Sequence, residues 1–333
     1  MHERAHLQRH AGPSLRRKSC DFAGTRRDCA PMLPAVRLPY RAFAVAVLLS
    51  VVPFAPAAAQ DGSDEPRLHE LRFDWTRDGV STGVAGVLWI SSEAFFKDNL
   101  APAQCRWCDR APDGTDRLNR LDRWGRGIVG STPSARKRAH NWSNIIGFGA
   151  LPAGVLGIQY AMGHGSGAPT RYFAQDATII VQSAVFASLA NQTVKFIAGR
   201  ERPFVHVLPE DQKGLTDHPS DNNLSFYSGH TNLAFSLVVS AGTVAALRGY
   251  KHQAWLWAVG LPVATSVGLL RMGADKHYLT DVATGALLGS AFGVAVPLLL
   301  HGRKGEASPD IQSGQIQMAP VASARMMGIS GTF

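Results

Sequence analysis

The sequence predicts an all-α protein, a bundle of five or six long apolar helices embedded in a membrane. Each apolar stretch is close to the length that crosses a bilayer, and polar loops separate the stretches. None of them alternates with the two-residue period of a half-buried strand, so we expect helices throughout. The stretches run approximately over residues 79–96, 144–162, 173–198, 231–248, 254–270 and 282–301.

Polar residues inside the third stretch favour a second interpretation. Asp176, Gln182, Asn191 and Gln192 lie within it, and the stretches are rich in Ala, Gly and Ser, which makes them weaker than typical lipid-facing spans. Buried helices of a soluble bundle would have the same composition. We favour the membrane bundle and keep the soluble one as the alternative.

The net charge of +9 is concentrated in the first 59 residues, which carry nine Lys or Arg against three Asp or Glu. Only +3 remains for the rest of the chain, which argues against a nucleic-acid partner. Within this segment Arg37 and Arg41 precede an apolar run, and small residues follow up to Gln60, as in a cleaved secretory signal. A start at Met32 would give a signal of ordinary length; a basic cytosolic arm is the alternative.

The chain is therefore divided into four parts. Residues 1–59 are a leader, 60–140 an amino-terminal extension with polar surface loops, 141–301 the catalytic helical domain, and 302–333 a tail. Alternating residues near the end of the tail would suit a weak hairpin, but we expect a disordered tail.

Export to an oxidising compartment would allow the cysteines to form a disulfide. Cys20 and Cys29 fall in the leader, while Cys105 and Cys108 form a lone CxxC in a polar loop. A zinc site would need two further ligands, and a redox motif would need a βαβ context that the chain lacks. We expect a structural disulfide, with a reduced pair as the alternative.

Three short segments carry the chemistry: KFIAGRERP (195–203), YSGH (227–230) and RMGADKHYLTD (271–281). Lys195, Arg202 and Arg271 supply three cations, and arginine can grip two phosphate oxygens at once. No clustered carboxylates call for a metal, so the expected chemistry is phosphoryl transfer without metal or cofactor.

The third segment predicts the nucleophile. If it runs into a helix, His277 and Asp281 lie one turn apart on the same face, so the carboxylate can accept the Nδ1 proton and leave a lone pair on Nε2. His277 would then form a phosphohistidine intermediate.

The second segment predicts the assisting groups. Gly229 has no Cβ to keep phosphate away from backbone N–H groups, and Ser228 can cap the apolar helix that follows. His230 would then protonate the leaving oxygen.

In this order and spacing, the three segments look like the signature of the type 2 phosphatidic acid phosphatase (PAP2) superfamily, which also includes bacterial class A acid phosphatases and vanadium haloperoxidases. The resemblance covers roughly residues 140–301 and implies the same roles for the matched positions. Tyr227 stands where the family usually has Pro, and Leu270 where it usually has Ser, which bears on substrate preference more than on reaction class.

We expect the site on the periplasmic side of a bacterial inner membrane. With an exported amino end and 79–96 lying at the surface rather than across the bilayer, the five later helices bring all three segments to the outer side. The basic residues at 248–252 and 303–304 are then inside, as the positive-inside tendency requires. If 79–96 spans the bilayer after a cleaved signal, the two sides exchange.

These features predict hydrolysis of a lipid phosphate, either a monoester or a pyrophosphate, of the phosphatidate or polyprenyl pyrophosphate type. One alternative is a soluble periplasmic acid phosphatase of broad specificity. The other is a vanadate-dependent haloperoxidase, in which vanadate would be a cofactor with His277 as axial ligand; in a phosphatase it would be an inhibitor that resembles the transition state. The sequence indicates no particular protein partner.

Overall fold

The computed structural model describes residues 68–111 and 113–305, together with the backbone of two strands at 317–323 and 326–332; the predicted leader lies outside these residues. The described part is mostly helical, which confirms the predicted all-α fold. Its α-helices are α1 (Trp75–Ala94), α2 (Lys97–Leu100), α3 (Arg120–Gly125), α4 (Pro133–Ile145), α5 (Leu151–Gly165), α6 (Thr170–Ala198), α7 (Pro203–His206), α8 (Gly229–Arg248), α9 (Leu261–Gly273) and α10 (Leu279–His301).

Five helical segments are long and apolar enough to cross a membrane. Two of them contain a π-helical turn: Ile146–Ala150 joins α4 to α5, and Leu256–Gly260 leads into α9. The other three are α6, α8 and α10. α1 covers the first predicted stretch but does not belong to this group of five.

α4 begins earlier than the sequence predicted, since the apolar run starts only near residue 144. Thr132 caps it, with Oγ1 accepting the N–H of Ala135 at 3.1 Å, and Pro133 occupies the first turn. The helix therefore crosses the predicted boundary between residues 140 and 141. Its polar turns therefore continue directly into the apolar segment that follows.

α8 is the central helix, and α10 lies against it through a row of glycines. A Cβ at Gly285 would come within 2.7 Å of the Ser228 carbonyl, and one at Gly293 within 3.0 Å of the Ser236 carbonyl. Gly289 faces the Asn232 carbonyl in the same way. This close approach brings the starts of α8 and α10, and hence the second and third sequence segments, together.

α1 runs parallel to α6 over most of its length. Gln182 Nε2 donates to Ser81 Oγ at 2.8 Å, and ten residues later Gln192 Nε2 donates to Glu93 Oε2, also at 2.8 Å. We call the end of the bundle that holds Lys195 the site end and the opposite end, with Arg248, the far end. α1 therefore runs from the far end to the site end.

The four polar residues that the sequence analysis named in the third stretch are paired inside the bundle. Their partners lie on other helices or loops, so their presence is compatible with a helix that crosses a membrane. Asp176 accepts from Arg248 at 2.8 Å, Gln182 Oε1 lies 2.6 Å from His301 Nε2, Asn191 donates to the Tyr227 carbonyl at 2.8 Å, and Gln192 donates to Glu93.

The tail contains a two-stranded antiparallel hairpin rather than only the disordered chain that we expected. Its strands are β1 (Gln317–Ser323) and β2 (Met326–Thr332), in the register that pairs Gln317 with Thr332. The alternation in the sequence was the correct signal.

Candidate active site

Three helix ends meet at the site end of the bundle. They are the carboxyl end of α6 with Lys195, the amino end of α8 with Gly229, and the turn between α9 and α10. A Cβ at position 229 would lie 2.8 Å from Asn191 Oδ1 and 3.1 Å from Lys195 Nζ, so a larger residue there would displace these two groups. The ammonium group of Lys195 therefore lies directly beside the first turn of α8.

Ser228 occupies the N-cap position of α8, as predicted, but its hydroxyl has a different partner. Oγ lies 2.9 Å from Thr231 Oγ1 rather than bonding to a backbone N–H of the described helix. The backbone N–H of Ser228 donates to the carbonyl of Asp281 at 3.0 Å. Ser228 therefore ties the start of α8 to α10.

His277 lies two residues before α10, not within that helix as the sequence predicted. Its Nδ1 donates to the carbonyl of Ser225 at 2.8 Å. Asp281 Oδ2 is 3.8 Å from the same nitrogen, too far for a hydrogen bond. The Ser225 carbonyl therefore orients the ring and leaves the lone pair on Nε2. The sequence analysis had assigned this orienting role to Asp281.

Asp281 does not bond to His277 but holds Ser225, the residue that does. Its Oδ2 accepts the Ser225 hydroxyl at 2.6 Å and the Tyr278 N–H at 2.9 Å. Ser225 thus contacts Asp281 with its hydroxyl and His277 with its carbonyl. Asp281 orients the histidine indirectly, through Ser225.

Arg200 is the centre of a closed group of charges, which we call the Arg200 network. Its guanidinium is fully buried, and the rings of Trp107 and Tyr278 have their centroids 4.5 and 4.2 Å from it. Burial alone would lower the pKa of Arg200, but its carboxylates, Asp281 first, raise it well above its ordinary value. The carboxylate partners are Asp122 and Asp281, each at 2.7 Å, and Asp109 at 3.0 Å.

Lys195, Arg202 and Arg271 form a second group, which we call the cation cluster. Burial lowers the pKa of His277 well below its usual range, and the positive charges of these three residues lower it further. All three cations therefore lie close enough to act on one imidazole, although they come from two separate sequence segments. His277 is neutral at physiological pH.

Arg271 has an unused donor inside this cluster. Its Nη1 lies 3.1 Å from His140 Nδ1 and 3.3 Å from Ser143 Oγ. Its Nε is buried with no hydrogen-bond partner among the described residues. A buried guanidinium with a free edge fits an oxyanion, which would supply the missing acceptor.

Asp221 is a carboxylate that borders the cation cluster. Arg202 Nε donates to its backbone carbonyl at 2.7 Å, and the two side chains are 3.8 Å apart. Burial would raise the pKa of Asp221, but Arg202, Lys97 and Lys195 hold it far below its usual value. Glu93 is a second carboxylate close to Lys195. Because these two carboxylates also face Lys97, the cations outnumber them and the cluster keeps a net positive charge.

Lys276 adds a further cation beside His277. Its Nζ lies 4.2 Å from the ring centroid of Phe204. Burial, and then the charges of Arg202 and Arg271, lower its pKa to about 8. A cavity of about 700 Å³ opens next to it and is lined by residues between 204 and 221.

His230, the predicted general acid, is held by a residue that the sequence did not single out. Its Nε2 lies 2.8 Å from Asn144 Oδ1, and the edge of its ring faces Phe148 with centroids 4.6 Å apart. Asn144 comes from the polar part of α4. No contact within the described residues occupies Nδ1, which is therefore the nitrogen available to a substrate.

Cys105 and Cys108 are joined by a disulfide, and their Cα atoms are 5.4 Å apart. The loop that they close lies at the site end, since the N–H of Arg106 donates to the Gly199 carbonyl at 3.0 Å. The backbones of Trp107 and Arg200 pair in an isolated parallel β-bridge. The disulfide loop therefore covers the Arg200 network.

Six residues of the site were missed by sequence reasoning: His140, Asn144, Arg200, Asp221, Ser225 and Lys276. Two signals were present: Thr132-Pro133 marks a helix start ahead of His140 and Asn144, and Arg200 and Lys276 lie within the quoted segments. Asp221 ends a short 3₁₀ helix and Ser225 lies in a loop, and neither carried a recognisable sequence pattern. Within residues 68–111 and 113–305, no group of three His, Cys, Asp or Glu side chains is arranged to hold a metal ion.

Comparison with known proteins confirms the resemblance drawn from the sequence. Residues 176–304 match the model of the PAP2 superfamily, a range that contains all three segments. Over 105 residues the chain is 38% identical to Bacitracin transport permease protein BcrC of Bacillus licheniformis. This alignment includes 32% of the chain and 46% of that protein, so the chain spans less than half the length of this relative.

Proposed function

We propose that this protein, whose residues 176–304 match the model of the PAP2 superfamily, hydrolyses lipid phosphates through a phosphohistidine on His277. The observation that carries the proposal is the cation cluster, which surrounds an oriented neutral imidazole and contains a buried guanidinium nitrogen, Arg271 Nε, with no hydrogen-bond partner among the described residues. Such a site stabilises the charge on a transferring phosphoryl group, and most of the catalysis in phosphoryl transfer comes from that stabilisation.

The reaction proceeds in two displacements. Nε2 of His277 attacks phosphorus while the Nδ1 proton stays on Nδ1, hydrogen-bonded to the Ser225 carbonyl; the bond from phosphorus to the leaving oxygen breaks, and His230 gives that oxygen a proton. In the second step a water attacks phosphorus, His230 takes the water proton, and the bond to Nε2 breaks. Inorganic phosphate leaves, and both histidines return to their initial states.

Two features support a lipid as the substrate. Five helical segments are apolar and long enough for a bilayer, and the site lies at one end of them. A lipid phosphate in one leaflet would place its head group at that depth. A monoester such as phosphatidate, or a polyprenyl pyrophosphate, fits this position.

We place the site end on the periplasmic side of the membrane. The Cys105 to Cys108 disulfide lies at that end, and disulfides persist in oxidising compartments. This placement puts the far end, with the loop after Arg248, in the cytoplasm.

The position of α1 bears on the path of the chain. Because α1 runs from the far end to the site end beside α6, we infer that it follows the depth of the bundle, although it is not among the five segments apolar enough to cross a membrane. If the site end is periplasmic, the residues just before Trp75 lie on the cytoplasmic side, whereas a signal cleaved before Gln60 would deliver them to the periplasm.

Reporter fusions after Arg248 and after Leu100 determine the two sides of the membrane. A cytoplasmic signal from the first fusion and a periplasmic signal from the second would support this path.

Trapping the intermediate tests the reaction. The full chain in detergent is mixed briefly with a labelled phosphate ester and quenched at alkaline pH, where phosphohistidine survives. Wild type should carry label, and His277→Ala should carry none, with kcat lowered by about 10⁴-fold or more. Vanadate should compete with the substrate, and activity should persist in EDTA. A His277→Ala variant that retains turnover would refute the proposal.

A further inference from the structure

Two polar residues of α4 connect the cation cluster to the general acid. His140 and Asn144 lie one turn apart on the helix, between Arg271 on α9 and His230 on α8. The separations are 3.1 Å from Arg271 Nη1 to His140 Nδ1, 3.3 Å from His140 Nε2 to Asn144 Nδ2, and 2.8 Å from Asn144 Oδ1 to His230 Nε2. The proposed reaction uses Arg271 and His230, and it gives no role to the two residues between them.

We infer that Asn144 is a positioning residue for His230: its amide oxygen accepts the Nε2 proton, and Nδ1 is left as the atom that exchanges a proton with the substrate. The inference rests on the proposed function. It follows from the two protonation states that His230 needs. As an acid the ring carries protons on both nitrogens, and as a base it keeps only one.

A pure acceptor at Nε2 suits both states. The Nδ1–H bond breaks as the leaving oxygen gains its proton, and Nδ1 later takes a proton from water, while the Nε2–H bond to Asn144 is never broken. A donor at Nε2 would instead exclude the doubly protonated ring. The amide oxygen of Asn144, at 2.8 Å, is such an acceptor.

The surroundings of His230 make this acceptor matter. Positive charges face the ring from α6, from α9 and from the segment before α7, namely Lys195, Arg271 and Arg202, and His277 also faces it from the turn before α10. The three cations oppose a protonated imidazole, whereas the neutral His277 does not, and Phe148 contributes only the edge of its aromatic ring. Among the described groups that contact His230, the Asn144 oxygen is the one that favours the acid form.

His140 determines which end of the amide faces His230. When its Nε2 accepts the Asn144 N–H, the amide oxygen is directed at His230. A neutral imidazole has only one acceptor nitrogen, so His140 can accept from Asn144 only when Arg271 donates elsewhere. Ser143 Oγ, 3.3 Å from the same Nη1, is one such acceptor, and a bound phosphate is another. Binding of phosphate by Arg271 therefore favours the amide orientation that prepares His230 to act as an acid.

The test compares two leaving groups. An alkyl phosphate needs a proton on its leaving oxygen, whereas p-nitrophenyl phosphate does not, and kcat/KM reports the step in which that oxygen departs. In Asn144→Leu, kcat/KM for the alkyl phosphate should fall by about 10²-fold and that for p-nitrophenyl phosphate by less than about threefold. Asn144→Asp keeps an acceptor oxygen and should recover most of the loss. Asn99→Leu, an exposed asparagine on α2, is the matched control.

The outcomes separate this inference from the proposed function. Equal losses on both substrates in Asn144→Leu, or an Asn144→Asp variant as slow as Asn144→Leu, would overturn the inference while wild-type activity upholds the function. A wild-type protein inactive on both substrates would overturn both. If Asn144→Leu does not fold, Asn144→Asp alone decides: a carboxylate at Nε2 should move the alkaline limb of kcat/KM to higher pH, and an unmoved limb would overturn the inference.

Discussion

Arg200 and Arg202 are two residues apart in the chain and lie in opposite electrostatic surroundings. Arg200 is closed in by three carboxylates and two aromatic rings, and its donors are used. Arg202 belongs to the cation cluster, where Asp221 is the neighbouring carboxylate for several cations. The first arginine stabilises the scaffold, and the second contributes charge that only an anion can compensate.

Ser225 joins these two regions. Its hydroxyl donates to Asp281 of the Arg200 network, and its carbonyl accepts from His277 beside the cation cluster. The scaffold therefore sets the orientation of the nucleophile without placing a carboxylate against it. Asp281 still lies 3.8 Å from the His277 ring, but Arg200 compensates its charge at 2.7 Å and so weakens its repulsion of the incoming phosphate.

The largest expected effect comes from breaking the Arg200 network. Arg200→Met leaves buried carboxylates without their cation and should lower the free energy of unfolding by about 3–5 kcal/mol. Arg202→Met, the matched variant, should lower it far less. Thermal unfolding of both full-length proteins in detergent measures the difference, and similar losses would mean that the two arginines are not distinct.

Arg271→Met tests the other side of the comparison. It removes a cation that has no carboxylate partner, so kcat/KM should fall by about 10²–10³-fold with little change in unfolding temperature. Lys137→Met, which changes an exposed residue of α4, is the control and should alter neither quantity. Loss of stability in parallel with activity would assign Arg271 to the scaffold.

Ser225→Ala and Asp281→Asn probe the connection between the two regions. Ser225→Ala keeps the carbonyl that orients His277 and loses only the bond to Asp281, so we expect a decrease in kcat of about tenfold or less, with KM unchanged. Asp281→Asn should lower kcat further and also destabilise the protein, because it removes a carboxylate from Arg200. Steady-state kinetics and thermal unfolding of both variants measure these effects. A normal kcat in Asp281→Asn would show that Asp281 acts on the scaffold alone.

The smallest expected effect is a pH dependence from Lys276. Its pKa is lowered from 10.5 to about 8, so the side chain is charged below that pH and neutral above it. If Lys276 attracts the substrate anion, KM should rise severalfold as pH increases through about 8. Lys276→Arg keeps its charge and should remove this rise, which KM measured between pH 7 and 9.5 would reveal. A rise that persists in Lys276→Arg belongs to another group.

The sequence by itself determined the helical bundle, the three segments and the residue types that meet in them. Long apolar runs have few alternatives to helices, and the spacing of Lys195, Arg202, Ser228 and His277 is a local property of the chain. The family match confirmed the resemblance drawn from those segments. The hairpin at Gln317–Ser323 and Met326–Thr332 was visible as an alternation, although we expected a disordered tail.

Only the tertiary structure decided which partners the functional groups take. The Asp281 carboxylate seemed the natural acceptor for His277 at a spacing of four residues, but the helix begins at Leu279, and that shift gives the contact to the Ser225 carbonyl from a distant loop. Asn144 lies in a polar turn whose role depends on α8 lying beside it. Hydrogen-bond partners and charge compensation are set by distances across the fold, which residue spacing along one segment does not contain.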